Sequence, residues 1–305
     1  MKFALHSVSY TNTWESQVKL SIEKVVDKAV EMGFDGIEIV AKRPHLSPLD
    51  YNKKDIKNLK ELISSKGLEI PCIAGYQDFV HDPNHMNMAR LEKEILWLRE
   101  TINLTADLGA PVLRVFSAFL IPGVSRDQQW KWAVQGLKEG CHYAEEKGVN
   151  LALQNHSELT LNYFDVLRMV DEIGSDNLKV EIDAPHVTTT GDSCEKVVKE
   201  VGNLLVYSVA SDYKEISVPM GQYPSTLFSN DNGLFKMFRK QAVPVGEGIV
   251  DWHSFFKALL DIGYDGFIGY EVCSPIVGGG SEENIDRVCR ESLKYMKELV
   301  AGLSK

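Results

Sequence analysis

Short apolar runs alternate with longer amphipathic stretches along almost the whole chain, and a glycine stands at most junctions. Seven times a helix-like stretch meets a glycine and passes directly into an apolar run. The junctions are Met32-Gly33 before residues 34–40, Lys66-Gly67 before 68–70, Leu108-Gly109 before 110–116, Lys147-Gly148 before 149–153, Ile173-Gly174 before 178–182, Val201-Gly202 before 203–206 and Ile262-Gly263 before 264–268. Glycine just past a helix end takes the left-handed cap conformation without a Cβ penalty. The apolar runs fit strands buried on both faces, as in a parallel sheet. Adding the opening run at 2–5 gives eight β units. Eight alternating β and α units in 305 residues predict a single α/β domain, a (β/α)8 TIM barrel over residues 1–305.

Helical periodicity supports the alternation. Residues 21–32 place Ile22, Val25, Val26, Ala29 and Val30 on one face, and 87–108, 130–146 and 163–173 behave likewise. One spacing departs: Gly202 to Gly263 is far longer than the other intervals, so an insertion is expected around 213–248, after strand seven. It contains the run Pro219 to Pro224 and the run Asn230 to Gly233. A long loop of this kind is either a functional cover or a tolerated surface excursion. The glycines at 278–280, after strand eight, read as a flexible turn or a phosphate cradle.

Composition narrows the class of partner. Apolar residues make up 44% and charged residues 25%, as in ordinary soluble domains. A net charge of −10 disfavours nucleic acid, whose binding rests on neutralising phosphates with Lys and Arg. A small anionic substrate met by a local basic group remains compatible. Five cysteines without a CxxC pair indicate neither a disulfide framework nor a zinc cluster, but reduced thiols. No long apolar span or signal segment is evident, so the expectation is a cytoplasmic protein with no membrane contact.

In such a barrel, chemistry gathers at the C-terminal ends of the strands. Those ends offer His6; Glu38, followed by Lys42, Arg43 and His45; Tyr76, Gln77 and Asp78; Arg114 and Phe116; Gln154, Asn155 and His156; Asp183 with His186; Asp212; and Glu271. Charged residues closing apolar strands are costly unless paired or coordinated. Asp183-Ala184-Pro185-His186 and Glu271 stand out, because two carboxylates from different strands can clamp one cation or face a sugar. His81, His85, His142 and His253 fall in loops or helices and read as surface residues.

These residues resemble the xylose-isomerase-like TIM barrels, the sugar phosphate isomerase and epimerase family with its inosose dehydratase relatives. The resemblance rests on Gly33 to Glu38, on Leu151-Ala152-Leu153-Gln154-Asn155-His156, on Asp183 to His186, on Pro244 to Trp252 and on Gly263 to Glu271. It implies a divalent metal, often manganese, held by Glu, Asp, His and Glu from strands five to eight. Asp183 and Glu271 keep their types, and Gln154 is the third candidate ligand. Two positions depart: Gln154 stands for the strand-five glutamate and Val209 for the strand-seven histidine, unless the strand-seven register is slipped. A glutamine carbonyl brings no charge and no base, and a valine cannot coordinate, so both weaken the metal site.

The resemblance implies an isomerase or epimerase acting on a sugar, sugar acid or cyclitol by enolisation beside a carbonyl. Glu271, His186 and Gln154 are the candidate catalytic residues, and His6, Glu38, Arg114, His156 and Asp212 the candidate substrate contacts. Trp14 and Phe116 would supply apolar walls, and Trp252 would pack before the last helix. An inosose-type dehydratase and an inactive sugar-binding barrel are the alternatives, the latter favoured by the paired changes at Gln154 and Val209. An abasic-DNA endonuclease of the same fold is disfavoured by too few strand-tip histidines and by the acidic charge. Association into a homo-oligomer is compatible with the resemblance.

Overall fold

The computed structural model describes residues 1–14, 17–80, 88–215 and 240–304. Eight parallel strands close a barrel: β1 (Lys2–His6), β2 (Gly36–Val40), β3 (Cys72–Ala74), β4 (Val112–Val115), β5 (Asn150–Gln154), β6 (Leu178–Asp183), β7 (Leu205–Ala210) and β10 (Phe267–Tyr270). Helices α1 (Ile22–Met32), α2 (Lys53–Ser65), α3 (Arg90–Leu108), α4 (Arg126–Lys147), α5 (Tyr163–Ile173), α6 (Ala184–Thr189), α7 (Cys194–Val201), α8 (Trp252–Asp261) and α9 (Glu282–Leu303) lie between and after the strands. The (β/α)8 barrel read from the alternation is therefore the observed architecture.

Local chemistry starts and stops these elements. Ser21 caps α1 by accepting from Lys24 N, and Gly33 ends it at φ 82, in the left-handed region. Asn52 and Asp55 form a reciprocal capping box on α2. The apolar faces of the helices pack onto the barrel in one continuous core that includes Leu5, Ile37, Leu98, Leu151, Phe255 and Met296. Two boundaries differ from the sequence reading. The run at 68–70 is not the third strand; Glu69 only bridges to Gly36, and the barrel strand forms beyond Pro71, at Cys72–Ala74. The helix expected at 130–146 begins earlier, at Arg126, where Ser125 caps it.

The expected insertion is flanked by a small second sheet. Strand β8 (Asp212–Glu215) pairs antiparallel with β9 (Lys240–Val243), in the register Asp212 to Val243. The Pro219 to Pro224 and Asn230 to Gly233 motifs lie outside the described residues, as do His81 and His85. Among the described residues, no helix is long and apolar enough to cross a membrane.

Strand register fixes what meets at the barrel mouth. His6 stands beside Glu38, Gln154 beside Glu181, and Asp183 beside Val209. Val209 packs with Cys72, Val112, Ala152 and Tyr207 in an apolar cluster inside the barrel. The strand-seven register is thus not slipped: at the level of Asp183 that strand contributes a hydrocarbon.

Candidate active site

A cavity of about 300 Å³ opens at the C-terminal ends of the strands, walled by Trp14, Tyr76, Phe116, Tyr213 and Cys273 and carrying Arg114, Gln154, His156, Asp183, His186, Lys240 and Glu271. The strands end there because their tips are polar and their bodies apolar; the tips can be buried only if they satisfy one another.

Arg114, on β4, begins a hydrogen-bonded chain. Its Nη1 donates to Gln154 Oε1 at 3.1 Å and its Nη2 to the Gly75 carbonyl at 2.9 Å. Gln154 Nε2 donates to Asp183 Oδ2 at 3.3 Å. The Asp183 backbone is clamped by Asn155, which accepts from Asp183 N at 2.7 Å and donates to its carbonyl at 3.1 Å. Asp183 Oδ1 caps the next short helix by accepting from His186 N, and His186 Nε2 lies 3.3 Å from Asp183 Oδ2. Aromatic faces hold the cation: the Arg114 guanidinium sits 4.6 Å from the Tyr76 ring centre and 4.3 Å from that of Phe116. His156 stacks on the other neighbour, 3.9 Å from Phe116, and meets His186 at 5.0 Å.

Burial sets the protonation of this group. It pushes Glu271 up to about 8, and repulsion from Asp183 adds to the shift. Burial likewise pushes Asp183 up to about 7, against the opposing hydrogen bond from His186. Burial lowers His186 to about 4, with the charge of Lys240 acting in the same direction. His156 is held well below the usual histidine range by burial, then by His186 and Arg114. At neutral pH both imidazoles are uncharged, and both carboxyls titrate near neutrality.

Beneath the cavity lies a second, sealed layer. His6 is fully buried, with Nε2 3.7 Å from Glu38 Oε1 and 3.5 Å from Glu271 Oε2. Glu38 Oε2 accepts from the Tyr207 hydroxyl at 3.1 Å. Gly269 makes that pair possible, because a Cβ there would stand 2.5 Å from both Glu38 Oε2 and the Tyr207 oxygen. Glu181, fully buried on β6, has no hydrogen-bond partner on either carboxylate oxygen among the described residues. Glu181 is not among the strand-tip candidates, although a charge two residues before Asp183 on an apolar strand points to the same inward face.

The structure therefore brings six of the candidates to one cavity: Glu271, His186, Gln154, Asp183, Arg114 and His156. His6 and Glu38 support its floor rather than line it. Asp212 is a correction. It is 1% exposed, and its carboxylate accepts from the backbone of Tyr213, Gly246, Gly248 and Val250 and from Trp252 Nε1 at 2.9 Å. With its oxygens so occupied it anchors the chain at 246–252 and offers nothing to a substrate. His45 is also turned away, its Nε2 on the Leu20 carbonyl at 3.1 Å, and Arg43 pairs with Asp50 on the surface. Trp252 is buried as the first residue of α8 and packs against Phe255 and Phe256 of the same helix, not in a loop before the last one. Tyr213, Lys240 and Cys273 were not singled out; only Cys273, two residues beyond Glu271, carried a readable signal.

The metal implied by the resemblance meets a depleted donor set. Gln154 already spends its carbonyl on Arg114 and its amide on Asp183. Val209 is a hydrocarbon, which leaves Asp183 and Glu271. Among the described residues, the group of carboxylate, thiol and imidazole donors that converges within 4.8 Å lies elsewhere, at Glu38, Cys72 and Glu181 in the sealed layer. The four-ligand pattern is not met at the strand tips.

Comparison with known proteins agrees with this architecture. The chain is 26% identical to an uncharacterised protein of Methanocaldococcus jannaschii, over 100% of its own length and 94% of the relative's. It is 22% identical to an inosose dehydratase of Clostridium perfringens, over 91% and 90% of the two chains. A D-psicose 3-epimerase structure with D-tagatose, from Clostridium cellulolyticum H10, superposes with a TM-score of 0.73 at 18% identity, covering 98% of this chain and 99% of that one. The model of the xylose isomerase-like TIM barrel matches residues 26–299, and the chain belongs to that family.

Proposed function

We propose that this protein enolises a sugar, sugar acid or cyclitol beside its carbonyl, with Glu271 as the general base. The observation that carries the reading is Glu271 itself: a buried carboxyl, pushed up to about 8, on the cavity that also holds a neutral His186. A base with a pKa near the working pH combines a useful deprotonated fraction with a strong pull on the proton. His186, uncharged and fixed beside Asp183, is placed to donate to the substrate oxygen on which negative charge develops, and Lys240 adds positive field on the same side. The kinship with a dehydratase and with 3-epimerases supports the reading, since loss of a proton beside a carbonyl opens both reactions.

Gln154 favours one outcome over another. Epimerisation through two faces needs a second base, and a glutamine that donates to Asp183 and accepts from Arg114 is not one. Isomerisation needs one base that moves a proton between neighbouring carbons. Dehydration needs one base and an acid, for which Asp183, pushed up to about 7, is suited. The second reading is therefore a dehydratase with Glu271 as base and Asp183 as acid.

Exchange of the substrate hydrogen beside the carbonyl in D2O, followed by NMR over a panel of ketoses and inososes, tests the reading directly. We expect exchange with at least one of them, a rate that rises toward about pH 8, and a loss of at least ~100-fold in Glu271→Gln. An unchanged rate in that variant would remove Glu271 from the chemistry. No exchange across the panel would leave a binding barrel.

A further inference from the structure

We infer that His6 is the positioning residue of the Glu271 base: its Nε2–H holds one carboxylate oxygen from beneath and leaves the other to the substrate. This rests on the enolisation reading and adds a residue to it. Strand order puts β1 between β10 and β2, with Leu5 paired to Tyr270 on one side and His6 to Glu38 on the other. His6 therefore stands between two glutamates, its Nε2 3.5 Å from Glu271 Oε2 and 3.7 Å from Glu38 Oε1. The far side of the ring sets which nitrogen carries the hydrogen. Val8 N donates to His6 Nδ1 at 3.4 Å, where the chain enters the 3-10 turn at Ser7–Tyr10. Burial, then the charge of Arg114, holds His6 well below the usual histidine range, so the ring is neutral. A neutral imidazole that accepts at Nδ1 carries its hydrogen on Nε2. Among the described residues that nitrogen has no hydrogen-bond partner, and the carboxyls of Glu271 and Glu38 are the acceptors within reach.

Of the two glutamates, Glu271 has the greater need of this donor. Glu38 already accepts from the Tyr207 hydroxyl at 3.1 Å, whereas Glu271 is met by the Cys273 thiol, a weak donor. The segment that follows His6 also ties down the backbone beside the base. Val272 N donates to Ser9 Oγ at 2.9 Å, and Gln17 Nε2 donates to the Val272 carbonyl at 3.3 Å. Main chain and side chain of the base are thus both referred to the first strand and its loop. With Oε2 held by His6, Oε1 takes the substrate proton. The electron pair of the C–H bond passes into the enolate, and His6 keeps its own hydrogen throughout. The 3.5 Å separation is long for a hydrogen bond, and such contacts tighten when substrate is bound.

The experiment takes two readouts on the full-length protein. Long-range proton–nitrogen NMR of the imidazoles gives the His6 tautomer, assigned by its loss in His6→Gln. Recorded above the Glu271 pKa of about 8, it should place the hydrogen on Nε2, and that resonance should move upfield in Glu271→Gln, whose amide is a weaker acceptor than a carboxylate. A hydrogen on Nδ1, or a resonance indifferent to Glu271→Gln, would overturn the inference. The second readout is exchange in D2O with D-tagatose and inososes as substrates. His6→Phe keeps a ring but no donor, and should lower the saturated rate at least ~10-fold while the half-saturating concentration stays within about twofold. His6→Gln, whose Nε2 reaches the place of the imidazole Nε2, should recover most of that rate. Equal losses in the two variants would make His6 a packing residue, and a loss confined to half-saturation would make it a substrate contact; either overturns the positioning role. Absence of all Glu271-dependent exchange in the wild type would strike the enolisation reading, and the tautomer measurement would still decide whether His6 serves Glu271.

Discussion

Asp212 and Asp183 end neighbouring stretches of sequence in the same way, yet they do opposite work. Asp183 faces the cavity; Asp212 receives donors from Gly246, Gly248, Val250 and Trp252, residues 34 to 40 positions further along. Gly248 is required there, because a Cβ would collide with the carboxylate. Asp212→Ala leaves these buried donors unpaired, and we expect it to destabilise the fold by about 3–5 kcal/mol in urea unfolding. Asp212→Asn, which keeps an acceptor, should cost less. Equal stability of the alanine variant and the wild type would refute the anchor. The same comparison shows what the sequence makes legible. Gln154 and Val209 are readable as departures because each is matched, at its own strand tip, to the ligand pattern of the family the chain resembles. Asp212 is not, since its role is set by a segment that returns to it only in the folded molecule.

At the scale of elements, two glycines inside α4 govern how it packs, Gly140 against α3 and Gly136 against the segment after β3. A Cβ on Gly140 would run into Leu98, and one on Gly136 into Phe79, both fully buried. Alanine is the better helix former by about 1 kcal/mol, so sequence reasoning alone favours Gly140→Ala. The packed interface reverses the sign, because overpacking costs about 1–3 kcal/mol. We expect Gly140→Ala to lower the thermal midpoint, while Gly302→Ala, with open space around its Cβ in α9, leaves it unchanged or slightly raised. A midpoint raised by both substitutions would show that the helices move apart freely. Long periodic helices and glycine-capped strands were thus legible from spacing alone. The third strand was not: residues 68–70 are apolar enough for a strand, but Glu69 reaches only Gly36, and the ladder forms after Pro71, at Cys72–Ala74.

Over the whole molecule, the barrel interior stores protons. Burial pushes Glu38 up to about 8, Glu271 to about 8 and Asp183 to about 7, from ordinary values of 4.5, 4.5 and 3.8. The folded protein therefore holds protons that the unfolded chain has released. Stability from this source is complete below the unfolded values and is lost as pH rises through the folded ones, so it declines across roughly pH 4.5 to 8. Each proton retained is worth about 1.4 kcal/mol per pH unit, or about 2–4 °C in a domain of this size. The buried histidines His6, His156 and His186, held below their usual range, oppose this trend only below about pH 6.5, so the ligand-free protein should melt lower at about pH 8.5 than at about pH 6.5, the reverse of a fold held by salt-bridged carboxylates. Glu38→Gln isolates the cause. A glutamine there still accepts from the Tyr207 hydroxyl but does not titrate, so the variant should match the wild type in acid and exceed it in base. Melting points that rise with pH, or a Glu38→Gln profile parallel to that of the wild type, would mean that these carboxyls are ionised in the folded barrel and that Arg114 carries their charge.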